Sequence, residues 1–481
     1  MAEVARRCAL VRGDRLAGVR NTIVLATGRR ELGAAGLRGR PFPPPTVEPD
    51  PGNAGGGSDQ TRIDGHNRQQ PPNESRRSSP ALIRGKRHNS SDALVIGGGL
   101  IGLSAAWRLA QSGVRTTLLE RERIGAGASG VAAGMLAPVT ELDYAETRAL
   151  AARLAALDRW PAFAAELAAH GCEPGLLRCG SVLCAVEPDD LGELRRLRDL
   201  QRSLGVEVEW LDRRALRAHE PALGPRALAG LWVASEGAVD PRATLAALAV
   251  AARRAGAAVI ENCPVVRLER TRGAIVGVHC ADGRSFGGDL VVLAAGAWSR
   301  ELARSLGIEI AVRPVKGQLL VLGPNRGRAE LPTHVVRTLR VYCVPRRDGR
   351  MVVGATVEER GFDRAVTAGA VRSLLDEAWT VVPGIEEAEL LEVLAGHRPA
   401  TPDNEPLLGF DPEIENLLWA TGHWRNGVLW VPLAGEAVVS LVYGREPPVE
   451  LVPFDPRRLR SPELSARGSG RGADAKSTGV R

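Results

Sequence analysis

The 481-residue sequence is poor in lysine and in aromatic residues. Lysine and arginine together number 63, but only three are lysines, and aromatic residues make up 4% of the chain. Residues 1–91 carry 16 basic against 8 acidic side chains and residues 457–481 carry 7 against 2, which leaves 40 against 46 for residues 92–456. A domain that binds nucleic acid presents a basic face on its folded part. The acidic balance of residues 92–456 therefore argues against a nucleic-acid partner.

Cysteine patterns and long apolar runs are also missing. The seven cysteines are an odd number and none stands in a C-x-x-C pair, so neither a metal site nor a disulfide framework is predicted, and a reducing cytoplasm is expected. The N-terminal residues lack the apolar core and cleavage site of a signal peptide. The most apolar run, Val428 to Tyr443, is interrupted by Pro432 and Glu436 and is short for a membrane span. It predicts a buried helix.

The most informative stretch is residues 92–120. A short apolar strand leads into the motif G-x-G-x-x-G at Gly97, Gly99 and Gly102, and an apolar helix pattern and a second strand follow, ending in Glu120. Glycines let a backbone approach a pyrophosphate, the start of a helix offers free N–H groups, and an acid at the end of the second strand can accept hydrogen bonds from a ribose. The stretch predicts a dinucleotide-binding site and leaves NAD and FAD both open.

Later segments extend this pattern. Residues 121–138 are rich in glycine and alanine, and the strand Leu290 to Ala294 runs into another small-residue turn, which favours a backbone lying against a flat ligand. Strands around a turn at residues 347–349 predict a hairpin, with Tyr342 and Val344 on one face of its first strand. Alternating strands and helices flank this hairpin, so the predicted fold class is α/β (α+β).

The segments VIGGGLIG, ASGVAAGML, VVLAAGAWS, RPVKGQ, YCVPRRDGRMVVGAT, GHRPATPDNEPLLG and TGHWRNGV, in this order, resemble the D-amino-acid-oxidase family of FAD-dependent oxidoreductases. Within that family they are most similar to its glycine-oxidising branch in thiamin biosynthesis. The resemblance spans residues 92–445 and implies a Rossmann-like FAD-binding domain built from discontinuous segments, plus an antiparallel-sheet substrate domain. The expected segments are 92–175, 232–313 and 394–450 for the FAD-binding domain, and 176–231 and 314–393 for the substrate domain.

The resemblance also implies roles for individual residues. Arg398, in GHRP, matches an arginine that clamps the substrate carboxylate, and Tyr342, at the head of YCVP, matches a tyrosine that closes over the same group. Arg425, in HWRNG, matches an arginine near the substrate end of the flavin. No general base and no metal are expected. The residues expected to bind FAD are Gly97, Gly99, Leu100, Ile101, Gly102, Glu120, Arg121, Ala128, Ser129, Ala133, Gly134, Met135, Val265, Gly296, His423, Trp424, Arg425, Asn426, Gly427, Val428 and Leu429.

The implied activity is oxidative deamination of glycine, sarcosine or a small D-amino acid, with oxygen as acceptor and hydrogen peroxide as product. The imine would supply thiazole synthesis, and a homo-oligomer is expected. Two alternatives remain: a dehydrogenase that passes electrons to a quinone or carrier protein, and a non-catalytic flavoprotein subunit. Without the motifs, Arg398 is typical of an ion-pair arginine and Tyr342 of a half-buried sheet residue. Arg340 stands where the family often has histidine, so we expect a basic residue at the mouth of the pocket.

Residues 1–91 differ from the rest of the chain. They are rich in Gly, Pro, Arg, Asn and Ser, which predicts a disordered extension, and residues 457–481 predict a disordered tail. Residues 36–39 can be encoded as GGGCUGAGAGGG and residues 48–50 as GAACCUGAU, and these strings resemble, in order, the two conserved stretches of the thiamin pyrophosphate riboswitch. Our hypothesis is that this segment is a translated RNA leader and that the working protein starts within residues 60–91.

The genomic DNA tests the leader hypothesis directly. We expect the codons of residues 36–57 to contain CUGAGA followed by GAACCUGAU in the transcript, because a riboswitch depends on nucleotides and not on amino acids. Synonymous codons that break either element would remove the hypothesis.

Overall fold

The structure is a computed structural model that describes residues 91–324 and 330–459. Residues 1–90 of the predicted leader and residues 460–481 of the predicted tail lie outside this part of the chain. Backbone hydrogen bonds join the strands into a six-stranded sheet, an eight-stranded sheet, a three-stranded sheet and a two-stranded pair.

The elements of the described residues are numbered in chain order. The strands are β1 (Ser91–Ile96), β2 (Thr116–Leu119), β3 (Met135–Leu136), β4 (Ser181–Ala185), β5 (Glu209–Asp212), β6 (Ala229–Val233), β7 (Gly237–Ala238), β8 (Ala258–Ile260), β9 (Val265–Thr271), β10 (Ala274–Cys280), β11 (Ser285–Phe286), β12 (Gly288–Leu293), β13 (Arg313–Leu322), β14 (Val335–Arg337), β15 (Tyr342–Pro345), β16 (Met351–Gly354), β17 (Leu390–Ala400), β18 (Leu407–Phe410) and β19 (Leu417–Thr421). The α-helices are α1 (Leu100–Gln111), α2 (Leu150–Ala169), α3 (Pro188–Ser203), α4 (Arg213–His219), α5 (Pro241–Arg254), α6 (Ser299–Arg304), α7 (Ala368–Val381) and α8 (Val431–Val442).

The six-stranded sheet has the order β18-β19-β12-β1-β2-β8 and is parallel except for the β18–β19 pair. Its central strands are apolar throughout because both faces are covered. Ala93 and Val95 pack in the cluster that includes α1, α5 and α8, whereas Leu94 and Ile96 pack in the cluster that includes the three-stranded sheet β11-β10-β9. This layered arrangement confirms the predicted Rossmann-like fold, in which ligands bind beyond the carboxyl ends of the parallel strands.

The eight-stranded sheet has the order β17-β13-β16-β15-β14-β4-β6-β5 and is antiparallel except for the β14–β4 pair. On β15, Cys343 packs in the cluster that includes α7, while Tyr342 and Val344 pack in a separate cluster on the opposite face. The sequence prediction for these three residues is therefore confirmed. The exact domain boundaries stay a prediction, since β17 belongs to this sheet yet extends past residue 394.

Several local predictions can be compared with the structure. Asp240 caps α5 through its carboxylate. The described chain already forms β1 at Ser91, the last residue of the predicted leader. At the other end, Arg458 forms an ion pair with Asp403 at 2.8 Å and Leu459 is buried. Residues 457–459 are thus ordered, which corrects the predicted start of the tail.

The predicted buried helix near the C-terminus is present as α8, in which eight of the twelve residues are buried. Within residues 91–324 and 330–459, no helix has both the length and the apolar character needed to cross a bilayer.

The packing around the glycine motif gives a stability prediction. A Cβ atom on Gly102 would lie 2.0 Å from the carbonyl oxygen of Gly97, whereas a Cβ on Gly369, also in a helix, would have no neighbour within 4 Å. We expect Gly102→Ala to lower the free energy of unfolding by about 1–3 kcal/mol, the usual cost of overpacking. Gly369→Ala, the matched control, should leave it unchanged or slightly raised. Urea unfolding measures both, and equal stability of the two variants would contradict the close contact.

Candidate active site

A cavity of about 600 Å³ joins the two large sheets. One end lies at the carboxyl ends of β1 and β2, and the other end lies at the face of the eight-stranded sheet that carries Tyr342 and Arg398. Between them runs the small-residue segment at positions 125–135. The lining of one cavity therefore contains both the residues expected at a dinucleotide and those expected at a substrate.

The turn between β1 and α1 forms the first end of the cavity. Gly97 has a φ of +114°, and a Cβ there would lie 2.4 Å from the carbonyl oxygen of Ala294. Helix α1 has no acidic residue in its first turn, so its partial positive charge is available to a phosphate. Glu120 accepts hydrogen bonds from the backbone nitrogens of Gly98 at 2.6 Å and Glu122 at 2.9 Å, and these bonds hold its carboxylate at the cavity wall.

Residues 423–425 form another part of the wall, and Asn426 lies directly behind it. Gly422 and Trp424 both have positive φ angles, of 76° and 47°, so this turn is sharply folded just before α8. Four successive residues carry a buried polar atom without a hydrogen-bond partner in the described residues: His423 Nε2, Trp424 Nε1, Arg425 Nε and Asn426 Nδ2. Buried polar groups in proteins are normally paired. Three of these residues, His423, Trp424 and Arg425, line the cavity, where a bound flavin ring would bring carbonyl and nitrogen acceptors close to them.

His423 contributes to this wall as a neutral group. It is 4% exposed, and burial lowers the pKa of its imidazole to about 3. The ring is therefore uncharged at neutral pH.

At the second end of the cavity, two glycines leave space for the longer side chains beside them. A Cβ on Gly317 would lie 2.3 Å from the Arg398 guanidinium, and a Cβ on Gly354 would lie 2.5 Å from the Tyr342 hydroxyl. Both long side chains can therefore lie flat on the sheet. Burial raises the pKa of Tyr342, while the nearby Arg398 guanidinium opposes that shift, so the phenol stays protonated at neutral pH.

Arg398 is held in place by groups that do not neutralise its positive charge. Its Nη1 donates to the carbonyl oxygen of Thr356 at 3.0 Å, and its guanidinium carbon lies 5.8 Å from the centre of the Trp424 ring. In the described residues it forms no ion pair with a carboxylate. A guanidinium in this state can bind a ligand carboxylate through two parallel hydrogen bonds.

Arg425, in contrast, has partners on the protein. Its Nη2 donates to the backbone oxygen of Glu141 at 2.9 Å and to the Glu146 carboxylate at 3.1 Å. Glu146 also accepts from the buried Arg153 at 3.1 Å. The predicted substrate-end arginine thus lines the cavity and also fixes the backbone beside it.

Most of the residues predicted from the sequence meet in this one cavity, but three lie behind its wall. Gly102 packs against Gly97, Leu429 is fully buried in the apolar core, and Asn426 is buried behind the turn. The predicted residues that line the cavity are Gly97, Gly99, Leu100, Ile101, Glu120, Arg121, Ala128, Ser129, Ala133, Gly134, Met135, Val265, Gly296, Tyr342, Arg398, His423, Trp424, Arg425, Gly427 and Val428.

Two charged residues of the substrate end are missed by the sequence analysis. Glu141 and Arg337 both line the cavity, and Glu141 Oε1 lies 4.0 Å from Arg337 Nη2. Glu141 follows the small-residue segment in the chain, which is a weak signal, and Arg337 ends a strand of only three residues, which has no pattern of its own.

Arg340 and Lys316 both have acidic partners. Arg340 lines the cavity, as expected for the pocket mouth, and lies 3.5 Å from Asp190 and 3.4 Å from Glu377. Lys316 is 1% exposed and its ammonium group lies 2.8 Å from the Asp363 carboxylate.

Comparisons with known proteins agree with this geometry. Residues 92–441 match the family described as FAD dependent oxidoreductase (DAO). The chain is 36% identical over 371 residues to a glycine oxidase of Geobacillus kaustophilus, covering 76% of this chain and 96% of that protein. It is 34% identical over 388 residues to a bifunctional protein ThiO/ThiG of Synechocystis sp., covering 79% of this chain and 56% of that protein.

The fold agrees as well. The crystal structure of glycine oxidase from Geobacillus kaustophilus superposes with a TM-score of 0.72 at 33% identity, covering 76% of this chain and 98% of that one. The family match, the relatives and the cavity lead to one conclusion: the chain belongs to the D-amino-acid-oxidase family of FAD-dependent oxidoreductases and is an FAD-dependent amine oxidoreductase.

Proposed function

We propose that this enzyme oxidises glycine, with sarcosine and small D-amino acids as alternative substrates, and transfers the electrons to oxygen. The observation that carries the proposal is Arg398, a guanidinium with no carboxylate partner in the described residues, at the substrate end of the FAD cavity beside Tyr342. The similarity to a glycine oxidase supports the choice of substrate.

Arg398 and Tyr342 would bind the substrate through its carboxylate. The guanidinium donates two parallel charge-assisted hydrogen bonds, and the protonated phenol of Tyr342 donates a third. Both side chains lie flat on the sheet over Gly317 and Gly354, so the carboxylate position is fixed by rigid strands. A carboxylate held in this way limits the positions open to the α-carbon, which is the main contribution that the protein makes to rate.

The cofactor supplies the redox chemistry. Bound FAD would supply an acceptor for the hydride equivalent of the α-carbon and a donor of two electrons to oxygen. Gly97 and Gly99 would hold its pyrophosphate, Glu120 its ribose, and the small-residue segment and the turn at His423 its ring system. The net reaction converts glycine, water and oxygen into glyoxylate, ammonia and hydrogen peroxide.

The imine formed before hydrolysis would also serve thiazole synthesis. A relative in which ThiO and ThiG form one bifunctional chain supports coupling of this enzyme to a second biosynthetic activity. A cytoplasmic location is part of the proposal.

Removal of the Arg398 guanidinium, which is proposed to bind the substrate carboxylate, tests the proposed activity. We expect the wild-type enzyme to be bleached anaerobically by glycine and to form peroxide with it in air. Arg398→Ala should lower kcat/KM for glycine at least about 100-fold, because it removes two charge-assisted hydrogen bonds of about 1.5–3 kcal/mol each. FAD content should be unchanged, because the guanidinium lies at the substrate end.

Arg372→Ala is the control, because Arg372 is an exposed arginine on α7 and is not among the residues that line the cavity. Unchanged glycine turnover by the Arg398→Ala variant would contradict the proposed binding of the substrate carboxylate by Arg398. If glycine reduces the flavin but only an artificial dye, and not oxygen, reoxidises it, the enzyme is a dehydrogenase.

Substitution of Glu120, the acidic residue proposed to bind the ribose, tests the placement of the cofactor. Glu120→Ala should raise the Kd for FAD about 10- to 100-fold, because it removes a charged acceptor from the cavity wall and leaves the Gly98 nitrogen unpaired. Glu122→Ala, two residues further on at a partly exposed position, is the matched control. Fluorescence titration of the apoprotein with FAD measures both, and equal affinities would place the ribose elsewhere.

A further inference from the structure

Glu141 is a carboxylate at the substrate end of the cavity that the proposed function does not use. Its side chain is 6% exposed and lines the cavity. In the described residues no hydrogen bond to its carboxylate oxygens is found, and the nearest cation, Arg337 Nη2, lies 4.0 Å away, beyond hydrogen-bonding distance. A buried carboxylate without a donor is costly unless a ligand provides one.

The backbone of Glu141 is fixed on both sides. Its nitrogen donates to the carbonyl oxygen of Ala137 at 3.1 Å, and its carbonyl oxygen accepts from Arg425 at 2.9 Å. The preceding turn is held by the fully buried Glu236, which accepts from the nitrogens of Val139 at 2.5 Å and Thr140 at 3.0 Å. The carboxylate is therefore presented to the cavity by a rigid turn.

Tyr342 connects this carboxylate to the substrate clamp. Arg398 and Glu141 both act on the pKa of the Tyr342 phenol, and all three side chains line the same cavity. Arg398 has no acidic partner and Glu141 has no donor in the part of the chain that the structure describes. The cavity wall thus holds a cation, Arg398, without a carboxylate partner and an anion, Glu141, whose oxygen atoms accept no hydrogen bond from the described residues.

An α-amino acid has the complementary pair of charges. Its carboxylate accepts hydrogen bonds and its ammonium group only donates them, and the two groups are separated by one carbon atom. We propose that Glu141 binds the substrate ammonium group while Arg398 binds the carboxylate, so that the pocket selects amino acids in their zwitterionic form. This inference rests on the proposed function and adds the residue that recognises the nitrogen.

Arg337 then has a supporting role. Its Nη1 donates to the carbonyl oxygen of Thr140, and burial lowers its pKa while the charge of Glu141 raises it. At 4.0 Å the guanidinium faces the Glu141 carboxylate without donating a hydrogen bond to its oxygen atoms. The carboxylate oxygens are therefore free to accept hydrogen bonds from the ligand.

The test uses two ligands that differ in the ammonium group, glycine as substrate and acetate as a competitive inhibitor. Glu141→Gln should raise the KM for glycine about 10- to 100-fold, because one charged hydrogen bond is lost. The Ki for acetate should stay the same or fall, because an anion that repels it has been removed. Damage to the pocket would weaken both ligands together.

Glu141→Asp keeps the charge on a shorter side chain and should recover part of the glycine affinity. Glu193→Gln is the control, since Glu193 forms an exposed ion pair with Arg196 on α3. FAD content and thermal melting are recorded for each variant, so that misfolding of Glu141→Gln is recognised. If Glu141→Gln is misfolded, the glycine affinity of Glu141→Asp decides whether Glu141 binds the ammonium group. A change in KM of less than threefold, or equal weakening of glycine and acetate, overturns the role of Glu141.

The two proposals fail separately. If the wild-type enzyme does not oxidise glycine, the proposed function is wrong, and binding of glycine and acetate is then measured from the flavin absorbance without turnover. If glycine is oxidised normally by Glu141→Gln, the proposed function stands and the ammonium site is wrong.

Discussion

The close approach of backbone to backbone at the end of β1 is the constraint on which the site depends. Gly102 packs on the carbonyl group of Gly97, and Gly97 packs on the carbonyl group of Ala294 at the end of β12. No side chain fits at either contact, so the turn stays close to the sheet and the start of α1 stays open.

The substrate end is held by a different kind of interaction, a chain of buried charges. Glu146 joins Arg153 and Arg425, and Arg425 in turn supports the backbone of Glu141. Partners inside such a network cannot be removed singly without leaving an uncompensated charge. The fixed positions of the charged groups in the cavity therefore depend on residues that the substrate never touches.

The part of the fold that follows from local patterns is predictable from the sequence. The glycine turn, the Asp240 cap and the alternation on β15 each depend on residues close together in the chain, and all three are present. Strand β17 is harder to predict because Gly396 and Pro399 interrupt it, and it forms because β13 pairs with it along its length. Here tertiary pairing overrides the weak local preference.

The same distinction applies to the site. Arg398 and Tyr342 stand in recognisable motifs, so their likeness to a family identifies them from the amino-acid sequence alone. Glu141 and Arg337 are nearly 200 residues apart in the chain and meet only through the packing of the turn at 139–140 against β14. No pattern within either segment signals that they form a pair, because each is an ordinary charged residue until the fold brings them together.

Gly317 and Gly354 have a consequence for how substrate choice in this enzyme can change. Each removes a single carbon atom from beneath a long side chain, and the guanidinium and phenol rest in the space left open. A substitution there would displace Arg398 or Tyr342 without altering either residue. Two chains of this family could therefore carry identical polar residues in the pocket and still differ in substrate, if they differ at these two positions of the sheet beneath.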